Sequence, residues 1–307
     1  MSRLSVALLC GGISSEREIS LKSGEYVKNA LNQEKYNVRI YDPAFDLASL
    51  IKNAKGIDVA LVILHGRFGE DGTIQGLLDL LGIPYQCSGV LASALAMDKL
   101  ISKCIFSSAG LFVPKHAPLT KNTSFGPLVK KLGLPLVIKP ADSGSSIGTS
   151  IVKDKSLFKK ALNEAFKHSE RVFAEEYING QEITGAVLGN KGAYALPLIE
   201  IIPNKGYDFF DYKAKYKPGA SKEICPARLP KTVTKKLQEC ALKAHKVLGC
   251  KGYSRTDMVL KGERVYVLEV NTIPGMTKNS LFPKAAKEAG LPFPELIEEL
   301  IRLALEK

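Results

Sequence analysis

The sequence predicts a protein built on an α/β layer with further mixed subdomains, and three observations support this. The chain has 307 residues, which is long enough for two or three separate cores. Its first ~95 residues alternate strand-like and helix-like runs, as a parallel α/β layer does. Closer to the other end, Arg255–Asn271 places two apolar runs around the polar turn Lys261–Arg264, which predicts a β-hairpin.

The start of the chain predicts the first strand and the first helix. Leu4–Cys10 is a short apolar run that meets Gly11-Gly12 directly. It predicts a buried strand and not a signal peptide, which needs a small-residue cleavage site. Ser15 and Glu18 have the Ser-x-x-Glu spacing of a capping box, which predicts that a helix opens there.

A later strand of the same layer ends at a histidine. Asp58–Leu64 is nearly all apolar, as expected for a strand buried on both faces, and His65 follows it. The glycine-rich turn Gly66–Gly72 leads into a helix that is predicted to stop at Gly82-Ile83-Pro84. Ligands of open α/β sheets bind beyond the carboxyl ends of strands, so Gly11-Gly12 and His65 mark candidate sites.

Two segments complete the chain. Residues 99–178 have a mixed hydrophobic pattern around the strand-like run Leu136–Pro140. Residues 179–307 contain a connection, about 203–230, that is rich in Lys, Tyr and Gly, and ordered connections of that length usually act as lids or binding loops. The amphipathic run Pro294–Leu305 predicts a closing helix.

Composition excludes several classes of protein. Hydrophobic residues make up 45% of the chain and charged residues 24%, as in ordinary globular proteins. No apolar run approaches the ~20 residues of a membrane span, so we expect no membrane partner. The six cysteines show neither Cys-x-x-Cys nor a zinc-ligand spacing with the four histidines, which predicts reduced thiols in the cytoplasm.

The net charge of +12, from 43 basic and 31 acidic residues, predicts anionic partners. The lysines are dispersed, and no signature of a DNA- or RNA-binding module is present. Small anionic ligands therefore explain the charge at least as well as a nucleic acid does. A lysine-rich solvated surface remains the structural explanation for most of these residues.

The hairpin concentrates polar side chains. If its turn centres near Glu263, Asp257 lies across from Glu269, and alternation places Arg255, Asp257, Glu269 and Asn271 in one small area. Two such close carboxylates repel each other unless a cation lies between them. Oxygen ligands favour a hard ion such as Mg²⁺, which usually also holds substrate phosphates. The alternative is a solvent-facing hairpin that carries charged side chains.

A second polar cluster follows Leu136–Pro140. Lys139 ends this strand, and the loop Gly144–Gly148 offers backbone N–H groups and serine hydroxyls that can bind an anion. The loop lacks the spacing of a Walker A motif, and flexible connectors can look similar. Purely structural roles are also possible for three further residues. Glu16 could stabilise a helix start, His65 could lie hydrogen-bonded in a core, and Lys99 could be an ordinary surface residue.

The co-occurrence of motifs favours function. In chain order they are Gly11-Gly12 with Ser14–Glu18, His65–Gly72, Met97-Asp98-Lys99, Lys139-Pro140 with Gly144–Gly148, Asp211–Tyr216, and Glu269–Thr277. Together they resemble the D-alanine–D-alanine ligases of the ATP-grasp superfamily, and the match runs from about residue 4 to about residue 300.

This resemblance implies the fold class and domain organisation. An α/β N-terminal domain, residues 1–98, would precede an α+β ATP-grasp unit with a central subdomain, 99–178, and a C-terminal subdomain, 179–307. The three subdomains would hold ATP between the central and C-terminal ones. Relatives are commonly homodimers, so a cytoplasmic homodimer is expected.

The resemblance also implies the ligands of the nucleotide and the metal. The residues expected to bind ATP are Lys99, Lys139, Ser145, Ser146, Glu175, Glu176, Tyr177, Ile178, Glu182 and Lys215. Mg²⁺, expected as two ions for which Mn²⁺ can substitute, would be bound by Asp257, Glu269 and Asn271. These three agree with the hairpin geometry.

Substrate and catalytic residues follow from the same match. Those expected to bind substrate are Glu16, His65, Tyr212, Ser280 and Leu281. Those expected to act in catalysis are Glu16, Ser145, Tyr216, Arg255 and Gly275, the last two as the pair that stabilises an oxyanion.

The implied reaction is the ATP-dependent joining of two D-alanines through a D-alanyl phosphate, with release of ADP and phosphate, for peptidoglycan precursors. The alternative is the same machinery with D-serine or D-lactate as second substrate. Relatives that make the D-lactate ester have histidine in place of Tyr216, so tyrosine here favours an amine.

Overall fold

The computed structural model describes residues 3–144, 147–204 and 221–306. The described strands are β1 Leu4–Leu9, β2 Tyr36–Tyr41, β3 Val59–Val62, β4 His116–Leu119, β5 Leu136–Pro140, β6 Ser150–Val152, β7 Val172–Glu176, β8 Gln181–Leu188, β9 Tyr194–Ala195, β10 Ile199–Pro203, β11 Ser221–Ile224, β12 Tyr253–Lys261 and β13 Arg264–Asn271. The described helices are α1 Arg17–Ala30, α2 Leu47–Asn53, α3 Thr73–Leu81, α4 Val90–Met97, α5 Lys99–Ser108, α6 Phe125–Leu132, α7 Lys155–His168, α8 Lys231–Val247, α9 Leu281–Glu288 and α10 Phe293–Leu305.

The first layer is a parallel sheet of order β2-β1-β3, as its alternating pattern predicts. Strand β3 is buried along its whole length, which confirms the inference from its continuous apolar run. Helix α3 ends at Leu81, immediately before Gly82, where the sequence places its stop. The carboxyl ends of β1 and β3 therefore present Gly11-Gly12 and His65 at one edge of the sheet.

The start of α1 differs from the predicted capping box. The helix begins at Arg17 with Glu16 as its N-cap residue, and Ser15 is exposed. Ser14 makes the local hydrogen bonds instead: its hydroxyl accepts from the Glu16 N–H at 3.2 Å and donates to the His65 carbonyl at 2.7 Å. The capping-box prediction is wrong because this contact to a neighbouring strand end is non-local. The two hydrogen bonds of Ser14 therefore hold Glu16 beside His65.

Two antiparallel sheets follow. The central sheet has the order β4-β7-β5-β6, and α6 and α7 pack on one of its faces. The C-terminal sheet has the order β11-β10-β8-β12-β13, with β9 paired to β8, and α8 covers one of its faces. On the other face of the C-terminal sheet, Leu188 and Tyr253 pack in one core with Phe282 of α9, which leaves part of that face for a ligand. This architecture agrees with the α/β plus α+β fold class expected from the sequence.

The long connection predicted at about 203–230 is interrupted by a strand. Strand β11 pairs antiparallel with β10, so part of this segment belongs to the C-terminal sheet. Lys284 on α9 donates to the Glu223 carbonyl of β11 at 2.8 Å and links the strand to the end of the chain. Residues 205–220, where the sequence predicts a lid, lie outside the described residues.

The closing helix packs back on the first layer. Helix α10 agrees with the amphipathic pattern, and its residues Leu296, Ile297 and Leu300 are buried in the same core as Leu8 of β1. The rings of Tyr26 and Phe293 lie 4.4 Å apart between α1 and α10. Through this packing the end of the chain is anchored to the first layer.

The cysteines are all free, as their spacing predicts. Across the three described ranges, no helix combines the length and the apolar character that crossing a bilayer requires.

Buried His245 on α8 predicts a pH dependence of stability. Its Nδ1 lies 2.7 Å from the Ser254 hydroxyl of β12, and burial, followed by the charge of Lys246, lowers its pKa to about 4. An unfolded histidine takes up a proton near its ordinary value of 6.5, whereas the folded one stays neutral. The free energy of unfolding should therefore decrease as the pH falls from about 6.5 to about 4, by at most about 3 kcal/mol from this residue.

Urea denaturation at pH 7 and pH 4.5 measures this effect. The variant His245→Gln should lose less stability than the wild type between the two pH values. Equal losses in both proteins would contradict the assignment to His245.

Candidate active site

An open cleft lies between the central and C-terminal sheets. One wall comes from the central sheet and the other from the C-terminal sheet. Its lining includes Val137, Lys139, Ile151, Glu175, Glu176, Tyr177 and Ile178 from the first wall and Glu182, Thr184, Asp257, Met258, Leu268 and Glu269 from the second. The cleft therefore combines an apolar surface with a cluster of charged groups.

The hairpin has the predicted pairing of Asp257 with Glu269 and of Arg255 with Asn271, across a turn in which Gly262 has a φ of 58°. This left-handed conformation suits glycine. The turn itself pairs Lys261 with Arg264, and a register shift between Asp257 and Met258 brings Asp257 opposite Glu269. Arg255 donates from Nε and Nη2 to the Asp257 carboxylate at 3.0 and 2.9 Å. The hairpin thus brings together the guanidinium, two carboxylates and an amide.

The donor set on this hairpin fits a hard cation. Asp257 and Glu269 supply carboxylates and Asn271 an amide oxygen, and the Asn271 Nδ2 is buried without a hydrogen-bond partner. Lys99 Nζ lies 3.4 Å from Glu269 Oε2 and offsets part of the negative charge. Within the described part of the chain, no group of three or more His, Cys, Asp or Glu side chains could hold a metal, and the hairpin offers two carboxylates and one amide.

Lys99 and Lys139 both reach the cleft. Lys99 is the first residue of α5, whose N-terminus is capped by the Asp98 side chain, and its Nζ donates to the Ser143 carbonyl at 2.7 Å. Lys139 forms an ion pair with Glu175 across the central sheet. Two ammonium groups beside an oxygen-rich hairpin are suited to binding a phosphate chain that also holds a divalent ion.

The predicted run at the end of β7 also lines the cleft. Glu175, Glu176, Tyr177 and Ile178 all contribute to the wall, as does Glu182 at the start of β8. Glu176 accepts from the Lys115 N–H at 2.8 Å, which fixes the end of β7 to the chain before β4. Tyr177 and Ile178, together with Val137 and Ile151, give this wall an apolar surface that suits a flat ring.

Glu16 and His65 form a second part of the site, beside Gly66 and Gly144. Both side chains are buried. A Cβ atom added at Gly144 or at Gly66 would lie 2.7 or 2.9 Å from Glu16 Oε2, so both backbones touch this carboxylate. Burial lowers the pKa of His65, the Glu16 charge opposes this, and Arg255 lowers it further, so the imidazole is neutral.

The start of α9 offers a third polar group. Ser280 is its N-cap residue, and its hydroxyl accepts from the Thr277 N–H at 3.0 Å. Gly275 lies against this hydroxyl, since an added Cβ would be 2.9 Å from it. Leu281 is buried at the first position of the helix. A helix N-terminus with a serine suits a carboxylate ligand.

Comparison with known proteins decides the family. The family model of the D-ala D-ala ligase C-terminus matches residues 105–302, and that of the N-terminus matches residues 42–88. The chain belongs to the D-alanine–D-alanine ligase family.

Relatives of this ligase family match the whole chain. A D-alanine–D-alanine ligase from Syntrophobacter fumaroxidans is 58% identical over 306 residues, which cover 99% of this chain and 98% of the relative. The crystal structure of the Bacillus anthracis D-alanine–D-alanine ligase complexed with ATP has a TM-score of 0.85 at 37% identity and covers 98% and 97% of the two chains. The VanG D-Ala:D-Ser ligase from Enterococcus faecalis has a TM-score of 0.84 at 32% identity, with coverage of 99% and 100%.

Several residues that the ligase-family resemblance singles out lie outside the described residues. They are Ser145, Ser146, Tyr212, Lys215 and Tyr216. Their expected roles remain predictions from the sequence.

Two ionisable residues of this ligase, the buried Lys103 and the half-buried Glu70, were missed by the sequence analysis. Lys103 on α5 pairs with Glu175 Oε2 at 2.8 Å. Burial opposes ionisation of Glu175, but Lys103 and then Lys139 lower its pKa to about 2. Glu70 accepts from the Gly66 N–H at 2.7 Å, and burial, followed by the charge of Glu16, raises the pKa of Glu70 to about 8.

A sequence signal exists for Lys103. Lys99, Ser102, Lys103 and Phe106 form the buried face of α5 at helical spacing, so a lysine stands where an apolar residue is expected. Glu70 carries no comparable signal, because it lies in an irregular turn.

Proposed function

We propose that this protein is an ATP-dependent ligase that joins two D-alanines for peptidoglycan precursor synthesis. The observation that carries the proposal is the 58% identity, over nearly the whole chain, to a protein described as D-alanine–D-alanine ligase. The cleft supports it, since the ammonium groups of Lys99 and Lys139 and the paired carboxylates of Asp257 and Glu269 all line it. The products are D-alanyl-D-alanine, ADP and phosphate.

ATP binds in the cleft between the two antiparallel sheets. Lys99 and Lys139 take its phosphates, and the end of β7 from Glu175 to Ile178 lines the adenine. Glu182 takes the ribose hydroxyls. The loop around Ser145 and Ser146 is proposed to cover the phosphates. In support of this, the Nζ of the proposed phosphate ligand Lys99 donates a hydrogen bond to the carbonyl of Ser143, which precedes the loop.

Mg²⁺ is the proposed metal, as two ions, and Mn²⁺ can substitute. Asp257, Glu269 and Asn271 would hold it, since two carboxylates and an amide oxygen match the ligand preference of a hard ion. A bound Mg²⁺ would neutralise charge on the phosphates during transfer.

The first D-alanine binds beside Glu16. Its ammonium pairs with this buried carboxylate, and Ser145 and Tyr216 are the proposed hydrogen-bonding companions of Glu16. In the segment 203–230, Tyr212 is proposed to bind the substrate and Lys215 to bind the nucleotide. His65, whose pKa is lowered by burial, is the proposed neighbour of the substrate carboxylate.

The reaction has two steps. A carboxylate oxygen of the first D-alanine attacks the γ-phosphorus of ATP, ADP leaves, and a D-alanyl phosphate forms. The ammonium of the second D-alanine loses a proton, and the resulting amine attacks the acyl carbon. It loses a second proton as the amide forms, and phosphate leaves with the oxygen it received. Arg255 and the Gly275 N–H stabilise the oxyanion between these events. The carboxylate of the second D-alanine binds Ser280 and the start of α9 at Leu281.

D-Serine or D-lactate as second substrate is the weaker alternative. The D-Ala:D-Ser ligase is 32% identical to this chain, against 58% for the D-alanine–D-alanine ligase from S. fumaroxidans. Tyr216, which relatives making the D-lactate ester replace with histidine, also favours an amine as second nucleophile.

Three further assignments belong to this proposal. The subdomains are 1–98, 99–178 and 179–307, with α9 and α10 of the last packing back on the first. A homodimer would cover the exposed Leu80 and Leu91 on the neighbouring helices α3 and α4. The cytoplasm supplies ATP and suits free cysteines.

Mass detection of products tests the proposal. Incubation with ATP, Mg²⁺ and equal concentrations of D-alanine, D-serine and D-lactate should give D-alanyl-D-alanine as the main product, with ADP release that depends on D-alanine. A mixed product without D-alanyl-D-alanine would contradict the assigned second substrate. ADP release without any joined product would contradict the ligase assignment.

A further inference from the structure

A fully buried lysine supports the base-binding wall of the cleft. Lys103 has no exposed side-chain surface, and its Nζ lies 2.8 Å from Glu175 Oε2 on the central sheet and 3.4 Å from the Leu268 carbonyl on the C-terminal sheet. It therefore connects the two walls at the bottom of the cleft. Because Lys103 is sealed from the cleft, it acts on a ligand only through the groups it holds.

The second ion-pair partner of Glu175, Lys139, can leave it more easily. Lys139 pairs with the other oxygen of this carboxylate, but 14% of the Lys139 side chain is exposed and lines the cleft. In the proposed function Lys139 turns to the phosphates of ATP, and this weakens its pairing with Glu175. Lys103 is then the remaining cation that compensates a buried carboxylate.

The position of Glu175 restricts what it recognises. A carboxylate repels a triphosphate, so it serves a nucleotide only at the ribose or the base. Glu175 is paired across the sheet with Val137, whose apolar side chain lines the same wall and suits a flat ring. An ionised carboxylate only accepts hydrogen bonds, so at a base it selects an amino group and disfavours a carbonyl.

We propose that Lys103 is a positioning residue that keeps the Glu175 carboxylate ionised and fixed, so that Glu175 accepts a hydrogen bond from the amino group on C6 of adenine. This rests on the proposed binding of ATP in the cleft. Lys103 thereby selects ATP over inosine triphosphate, which carries a carbonyl at C6 and is identical in its ribose and phosphates.

The test compares kcat/KM for the two nucleotides in D-alanine ligation. The wild type should prefer ATP, and Lys103→Met should lower the preference by about 10–100-fold, the factor expected for one hydrogen bond to a charged group. Most of the change should come from a higher KM for ATP. A buried residue of the same helix face supplies the control: Phe106→Leu should lower the melting temperature and leave the ATP preference unchanged.

The variant Glu175→Gln provides a second test, which does not depend on whether Lys103→Met folds. It should lower the ATP preference by a similar factor, and adding Lys103→Met to it should lower the preference no further. An unchanged ATP preference in Lys103→Met would overturn the proposal and leave Lys103 as a stabilising residue. An unchanged ATP preference in Glu175→Gln would also overturn it and would place Glu175 at the ribose. Absence of ligation in the wild type would instead contradict the proposed function itself.

Discussion

Replacing Glu269 with glutamine is expected to lower kcat by about 100-fold or more, because the hairpin loses one of the two carboxylates proposed to hold the metal. The fold should be little affected, since Glu269 lies at the cleft surface and the apolar residues of β13 pack on α8. The melting temperature should therefore change by less than about 4 °C. Steady-state ADP release and thermal unfolding measure the two effects on the same preparation.

The matched control is Glu263→Gln. Glu263 lies in the turn of the same hairpin, is exposed and carries the same charge, but is remote from the paired carboxylates. Its substitution should change neither kcat nor melting temperature. If Glu269→Gln lost stability in proportion to activity, Glu269 would be a structural residue.

Glu16→Gln is expected to raise the apparent KM for the first D-alanine by about 30-fold or more. Removing one charge of a buried, hydrogen-bonded pair costs about 2–5 kcal/mol, and Glu16 is the buried carboxylate proposed to pair with the ammonium. The KM for ATP should change far less, because the nucleotide is proposed to bind between the other two sheets. The dependence of ADP release on D-alanine and on ATP separates the two constants.

Glu18→Gln serves as its control. Glu18 is the acidic residue in the first turn of α1 and is exposed, so it shares the helix-dipole role of Glu16 without facing the site. Its substitution should leave both Michaelis constants unchanged. An equal effect of the two substitutions would mean that Glu16 acts only on the start of the helix.

The hairpin could be predicted from the sequence because its determinants are local. A glycine turn and alternating side chains predict the two strands, whereas the pairing of Asp257 with Glu269 also needs the register shift between Asp257 and Met258. The buried strand β3 and the end of α3 at Gly82 were predicted for the same reason. In each case the residues that determine the structure are neighbours in the chain.

The wrong and missed predictions depend on contacts between distant segments. The predicted cap residue Ser15 makes no cap, and Ser14 instead donates a hydrogen bond to the His65 carbonyl, 51 residues away. Lys103 could be placed on the buried face of α5 by its spacing, but its partner Glu175 lies on another sheet. Local patterns therefore identified the site's elements, whereas the charges that support them became visible only in the fold.

Transfer of a labelled oxygen tests the central claim, that the first D-alanine is activated as an acyl phosphate in this cleft. D-Alanine labelled with ¹⁸O in both carboxylate oxygens is incubated with unlabelled ATP and Mg²⁺, and the released phosphate is analysed by mass spectrometry. One ¹⁸O atom should appear in each phosphate, since the attacking carboxylate oxygen leaves with the transferred phosphoryl group. Phosphate without label, alongside normal dipeptide formation, would contradict the acyl phosphate.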